Sequence, residues 1–160
     1  MPKHPPTAVY EFRTTFRAPL NFVFRWCTDY TPADSRLEKD DYTRKILRKG
    51  PRRVVYEDLS EGPAGWSWSR HIVDLHPPNR WHSTSTGNHR IWDLEYELVA
   101  ESAERTSFSL RGARTPTELG TKNPSQSELN RELRKTWANF GRALERDYRA
   151  SRTSRSSPRH

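Results

Sequence analysis

Near its start the chain alternates cleanly. Tyr10, Phe12, Thr14 and Phe16 fall on one side of an extended backbone, and Glu11, Arg13, Thr15 and Arg17 on the other. Alternation with period two predicts a half-buried strand over Val9–Arg17. Pro19 then suits the first turn of a helix, and Leu20, Val23, Phe24 and Cys27 follow at helical spacing, which makes one apolar stripe. Thr31-Pro32 should end that helix, because proline disfavours a helical residue before it. A short second helix is expected over Pro32–Leu37. Six strand candidates follow: Tyr42–Arg48, Arg53–Leu59, Gly65–Leu75, Arg80–Thr86, His89–Val99 and Arg105–Gly112. Gly50-Pro51, Gly62-Pro63, Pro77-Pro78-Asn79 and Gly87-Asn88 separate most of them, which is turn chemistry and predicts an antiparallel meander. The last element is a long helix. Leu129, Leu133, Trp137, Phe140, Leu144 and Tyr148 recur every three or four residues, and Ser125-Gln-Ser-Glu128 before them reads as a capping box. The apolar face of this helix needs a cover, and the sheet is the candidate.

Pairing the strands through their turns assigns side chains to faces. A turn centred on Gly87-Asn88 sets Ser83 opposite Trp92 and Trp81 opposite Leu94. A turn at Pro77-Pro78 that pairs Leu75 with Arg80 sets Ile72 opposite Ser83 and Arg70 opposite Ser85. Matching apolar faces sets Tyr96 opposite Phe108. The inner face then carries Trp66, Trp68, Arg70, Ile72, Trp81, Ser83, Ser85, Arg90, Trp92, Leu94, Tyr96 and Phe108. Ser67, Ser69, His71, His82, Asp93, Glu95 and Glu97 point outward. An interior of rings, small hydroxyls and two arginines is more typical of a ligand pocket than of a solid aliphatic core.

Composition sharpens this picture. Of 160 residues only 32% are hydrophobic, a value low enough to raise disorder as a reading. Six Trp, six Tyr and six Phe argue against it, because disordered chains are poor in aromatics. One globular domain is expected over residues 8–149, with disordered ends at 1–7 and in the Ser/Arg-rich tail 150–160. No apolar run is long enough to cross a membrane. Met1-Pro2-Lys3-His4-Pro5-Pro6 lacks the apolar stretch of a secretory signal. The single Cys27 excludes a disulfide framework. A cytoplasmic protein is therefore expected.

The formal net charge is +8, and 22 of the 28 basic residues are Arg. The charge is patchy: Arg36–Arg53 holds eight basic residues, and Asp93–Glu104 holds five acids and no base. A basic patch can meet an acidic partner, but the ordinary reading is a solvated surface, and nucleic acid is not an expected partner.

Three segments carry a family resemblance. Ala18-Pro19-Leu20-Asn21-Phe22-Val23-Phe24 after the first strand resembles the "AP…VF" helix start of the START/SRPBCC superfamily. His71-Ile-Val-Asp-Leu-His-Pro-Pro-Asn-Arg-Trp81 resembles its "v.el.PP.r" turn, and Trp92-Asp-Leu-Glu-Tyr96-Glu-Leu its "w.y.l" strand. The order of elements is similar to that superfamily's polyketide cyclase/dehydrase-like members. The resemblance implies an α+β helix-grip fold, a curved seven-stranded antiparallel sheet around a long C-terminal helix with two short helices after strand one. It also implies a hydrophobic, aromatic or polyketide- or lipid-like small molecule between sheet and helix. It transfers no catalytic residue.

The candidate ligand-binding residues are Trp68, Arg70, Ser83, Ser85, Arg90, Trp92, Tyr96, Phe108, Leu133, Trp137 and Phe140. The rings could stack on an aromatic ligand, or simply fill a ring-rich core. Arg70 and Arg90 could clamp a carboxylate or phenolate, or lie at the rim with their heads in water. His71 and His82 have suitable chemistry for proton transfer but are placed outward, out of reach of a substrate. His71, His76, His82 and His89 have no metal-ligand spacing, so no metal is expected, and nothing calls for a cofactor. Gly65-Trp-Ser-Trp-Ser69 lacks the final glycine of a nucleophile elbow. Three functions stay open: ligand binding, an aromatase/cyclase-like enzyme using the same cavity, and a basic interaction module. The oligomeric state is not legible.

Overall fold

In the computed structural model, which describes residues 7–38, 41–63, 65–117 and 124–155, ten elements succeed one another. They are β1 (Ala8–Phe16), α1 (Leu20–Cys27), α2 (Asp34–Glu38), β2 (Thr43–Lys49), β3 (Arg53–Gly62), β4 (Gly65–His76), β5 (Arg80–Gly87), β6 (Arg90–Ser102), β7 (Arg105–Pro116) and α3 (Gln126–Arg155). The strands form one antiparallel sheet in the order β1-β7-β6-β5-β4-β3-β2. Strands β2 to β7 are therefore a meander, and β1 closes on its last strand. This is the α+β helix-grip arrangement, with α3 held against the inner face of the curved sheet.

Helix α3 begins where the capping box places it. The Ser125 amide donates to Glu128 Oε2 at 2.9 Å, and the Glu128 amide donates to Ser125 Oγ at 3.2 Å. Two otherwise orphaned amides are satisfied by each other's side chains. Leu129, Leu133 and Leu144 are buried on the sheet side. Gly141 lets the helix approach β1 closely: a Cβ there would lie 3.2 Å from Phe16 Cε1. The Arg17 amide donates to Glu145 Oε1 at 2.9 Å and fixes the far end of the contact. The helix continues to Arg155, past the expected boundary at residue 149. No glycine or proline interrupts 150–155, and Ser151 and Thr153 hydroxyls donate back to the Tyr148 and Arg149 carbonyls. The ends at 1–6 and 156–160 lie outside the described residues, as does Asn123. Among the described residues no helix is long and apolar enough to cross a membrane.

The core is a chain of rings between β1, the sheet centre and α3. Phe108 lies 5.6 Å from Phe16 and 4.2 Å from Trp137, and Trp81 stacks on Tyr96 at 4.7 Å with planes 6° apart. Opposite Leu94, Gly112 leaves no room for a side chain, since a Cβ would sit 2.0 Å from the Asp93 carbonyl oxygen.

Two of the expected registers are off by two residues and one is off by one, with very different consequences. On β5 and β6 Ser83 pairs with Leu94, Trp81 with Tyr96 and Ser85 with Trp92; on β6 and β7 Tyr96 pairs with Leu110. A two-residue slip leaves every side chain on its expected face. On β4 and β5, however, His76 pairs with Arg80 and His71 with Ser85, so the connection is the three residues Pro77–Asn79. That one-residue slip turns β4 over. Trp66, Trp68, Arg70 and Ile72 point outward, and Ser67, Ser69, His71, Val73 and Leu75 point inward. Both β4 faces are partly apolar, so hydrophobic pattern could not choose between them; the turn length did.

A cavity between the sheet and the C-terminal helix

A cavity of about 600 Å³ opens between the inner face of the sheet, α1, α2 and α3. Of the expected site residues, Ser83, Arg90, Trp92, Tyr96, Leu133, Trp137 and Phe140 line it. The other four do not. Trp68 and Arg70 sit on the outer face of β4, where Arg70 donates to Glu57 Oε1 at 3.0 and 2.6 Å. Phe108 is buried in the ring core behind Trp137 and Tyr96. Ser85 is buried in the sheet, and its hydroxyl has no hydrogen-bond partner among the described residues. The expected pair of inward guanidiniums, Arg70 with Arg90, is therefore corrected: Arg90 alone of the two reaches the cavity, as an exposed rim residue with its guanidinium carbon 5.3 Å from the Trp92 ring.

The cavity has two chemically different ends. Under α3 the wall is Trp81, Tyr96, Leu110, Leu133, Trp137 and Phe140. Towards the β3–β4 hairpin it is polar, and most of that polarity comes from residues the sequence reading left unassigned. Arg44 of β2 is buried and points inward. It donates through Nε and one terminal nitrogen to the two oxygens of Asp58 at 2.8 and 2.9 Å, and through the other to Asp34 at 2.5 Å. Its guanidinium carbon lies 4.1 Å from the centre of the Tyr56 ring and 5.1 Å from that of Tyr42. Burial opposes its charge, but the bonds to Asp58 more than offset this and keep it a cation. Tyr56 also stacks on Tyr30, whose backbone takes the unusual φ of 31°. A bulky residue in that region is held there by its surroundings. One signal for this cluster was present in the chain: Arg44 shares alternation parity with Ile46, and Asp58 with Val54 and Tyr56. Opposite charges at matching ends of two apolar faces predict a cross-strand pair.

His71 corrects a second expectation. It is 2% exposed and lines the cavity instead of facing outward. Its ring stacks on Tyr56 at 4.4 Å with planes 8° apart, and Nε2 lies 2.8 Å from Ser69 Oγ and 3.7 Å from Asp58 Oδ2. Burial, with the Arg44 and Arg90 charges adding to it, holds its pKa down at about 3. The imidazole is thus neutral at physiological pH. Cys27, also in the wall, is inert as a nucleophile, since burial pushes its thiol far up.

The sign of the His71 effect makes a testable prediction. Unfolded histidine titrates near pH ~6.5. Below that the unfolded chain takes up a proton that folded His71 refuses, so stability falls with pH from there towards the folded value of about 3. His71→Gln is expected to flatten the difference in unfolding free energy between pH 7 and pH 4.5, measured by denaturant titration. An unchanged slope would mean that His71 is not the buried neutral group described here.

Three basic residues of the segment Arg36–Arg53 are engaged within the fold, while Arg36, Lys45, Arg48 and Arg52 are exposed. Arg44 is turned inward, Arg53 Nε donates to Asp74 at 2.7 Å, and Lys49 donates to the Asp29 and Tyr30 carbonyls.

No family model matches the chain, and no curated protein does. Solved structures do. The Zhui aromatase/cyclase from Streptomyces sp. R1128 superposes with a TM-score of 0.66 at 15% identity, over 90% of this chain and 94% of that one. A START superfamily protein from Mycobacterium smegmatis gives 0.62 at 12% identity, over 89% and 97%. Ara h 8.0201 gives 0.62 at 11% identity, over 87% and 98%. With its sheet order, paired short helices and gripped α3, the chain has the helix-grip fold of the START/SRPBCC superfamily.

Proposed function

We propose that this protein binds a hydrophobic, ring-bearing small molecule in the cavity between its sheet and α3. The observation that carries this reading is the two-ended cavity of about 600 Å³, with rings beneath α3 and fixed polar groups at the β3–β4 end. Its size falls within the range of small-molecule sites, and its mix of apolar wall and few placed polar groups is the usual one. The fold shared with an aromatase/cyclase and a START superfamily protein supports the same reading.

Titration with the neutral fluorophore N-phenyl-1-naphthylamine tests it. Saturable fluorescence enhancement is expected, and Thr136→Trp should weaken binding at least ~10-fold by filling the cavity from α3, the equivalent of ~1.4 kcal/mol. Absence of saturable binding, or binding indifferent to Thr136→Trp, would sink the proposal.

A second reading, an aromatase/cyclase-like enzyme, is favoured by one observation. That observation is the fold it shares with the Zhui aromatase/cyclase over 90% of this chain; His71, although in the wall, has its proton affinity held down by burial and is a poor general base. The interaction-module reading has no comparable support: nothing about the exposed Arg36, Lys45, Arg48 and Arg52 distinguishes them from a solvated basic surface.

A further inference from the structure

The cation at the polar end of the cavity is already committed. Arg44 gives three N–H groups to Asp58 and Asp34, and Tyr56 and Tyr42 lie against its guanidinium. Two carboxylates around one guanidinium leave one negative charge in surplus. That surplus is poorly hydrated: the side chains of Arg44, Asp58 and Asp34 are 5%, 16% and 20% exposed. His71 beside them is neutral and does not offset it. Arg90 and Arg36 are also in the wall; both are exposed, where water and salt weaken their charge, although that of Arg90 is still felt at His71. Asp29 and Asp147 are in the wall as well, so its acids outnumber its arginines by four to three.

Asp34 already accepts from Arg44 and from the amide and hydroxyl of Thr31, so the spare accepting capacity lies mainly on Asp58. An ionised carboxylate offers about four lone-pair sites, and Asp58 spends two on Arg44. Ser60, Ser67 and Ser69 line the same end, with hydroxyls that can accept or donate. A ligand carboxylate placed here would meet two like charges and a guanidinium whose bonds are already made. A hydroxyl would meet acceptors.

From this we infer that the cavity excludes ligands with an anionic head group and takes one whose polar end is an uncharged hydrogen-bond donor, such as a phenolic or alcoholic hydroxyl. The inference rests on the ligand-binding reading above and adds the class of head group.

Matched naphthyl compounds separate the two claims. Naphthalene, 2-naphthol and 2-naphthoate would compete against N-phenyl-1-naphthylamine on the full chain at pH 7, where the naphthol is uncharged and the naphthoate is an anion. The expected result is displacement by 2-naphthol at least ~10-fold more effective than by 2-naphthoate, a like-charge cost of ~1.4 kcal/mol. Asp34→Asn removes the surplus charge and keeps a side chain of similar shape. It is expected to raise naphthoate affinity and narrow the gap, whereas simple structural damage would weaken both compounds together. Naphthoate binding as tightly as naphthol would overturn the inference and leave the cavity reading standing. A wide gap that Asp34→Asn leaves unchanged would overturn it too, since the discrimination would then come from elsewhere. Failure of all three compounds and of the fluorophore would overturn the cavity reading and this inference with it.

Discussion

Arg44→Met is expected to lower the unfolding free energy by about 3–5 kcal/mol at neutral pH, the cost of removing one partner from a buried ion pair. The arginine is 8% exposed and stands between Asp58 on the neighbouring strand and Asp34 on α2. Methionine fills much of the volume but leaves two carboxylates facing each other without a counter-charge. It also unfastens α2 from the sheet, since Asp34 is the residue of that helix bonded to Arg44. Chemical denaturation followed by circular dichroism measures the loss. The double variant Arg44→Met/Asp58→Leu should recover part of it, because it removes one of the two stranded carboxylates and leaves Asp34 without its guanidinium. A loss below ~1 kcal/mol in the single variant would place the pair among hydrated surface bridges and contradict its burial.

Trp81→Ala is expected to cost a similar ~3–5 kcal/mol for a different reason, the deletion of a large buried ring. Trp81 is 2% exposed, stacks on Tyr96 and meets Phe24 edge-on at 5.8 Å. It belongs both to the core and to the cavity wall, so its removal would merge a new void with the existing space. Water entering through the polar end, or a bound ligand, would put the loss at the lower end of that range. The measurement is the denaturation midpoint with and without a saturating neutral ligand. A loss of less than ~1 kcal/mol in both conditions would mean that the ring is not packed as described. Unlike Arg44→Met, this variant is not expected to respond to a compensating charge change.

Much of the fold was readable before any coordinates because its signals are local. The period of α3 and its Ser125–Glu128 cap depend on residues three or four positions apart. The alternation of β1 and the turn residues between strands are equally short-range. Half of the site followed from the same patterns. Tyr96, Trp92 and Ser83 stayed inward despite register slips of two residues, while Leu133, Trp137 and Phe140 lie on the single apolar stripe of α3.

The polar half was out of reach of that reasoning for two physical reasons. The face of β4 hangs on the length of one turn, and a single residue of difference exchanges Arg70 and Trp68 for His71 and Ser69. Both faces carry apolar groups, so neither exchange looks costly in one dimension. Arg44 lies in a run of basic residues, where any one cation resembles the rest. Its parity with Ile46 hints at a cross-strand partner in Asp58, but the folded chain is what brings Asp34, Tyr42 and Tyr56 around it as well, so that burial is compensated. The sequence by itself thus determined the elements, their order and the apolar end of the cavity, because those follow from periodicity. Tertiary structure alone decided the charge of the other end, because compensation of a buried ion is a property of neighbours that are distant in the chain.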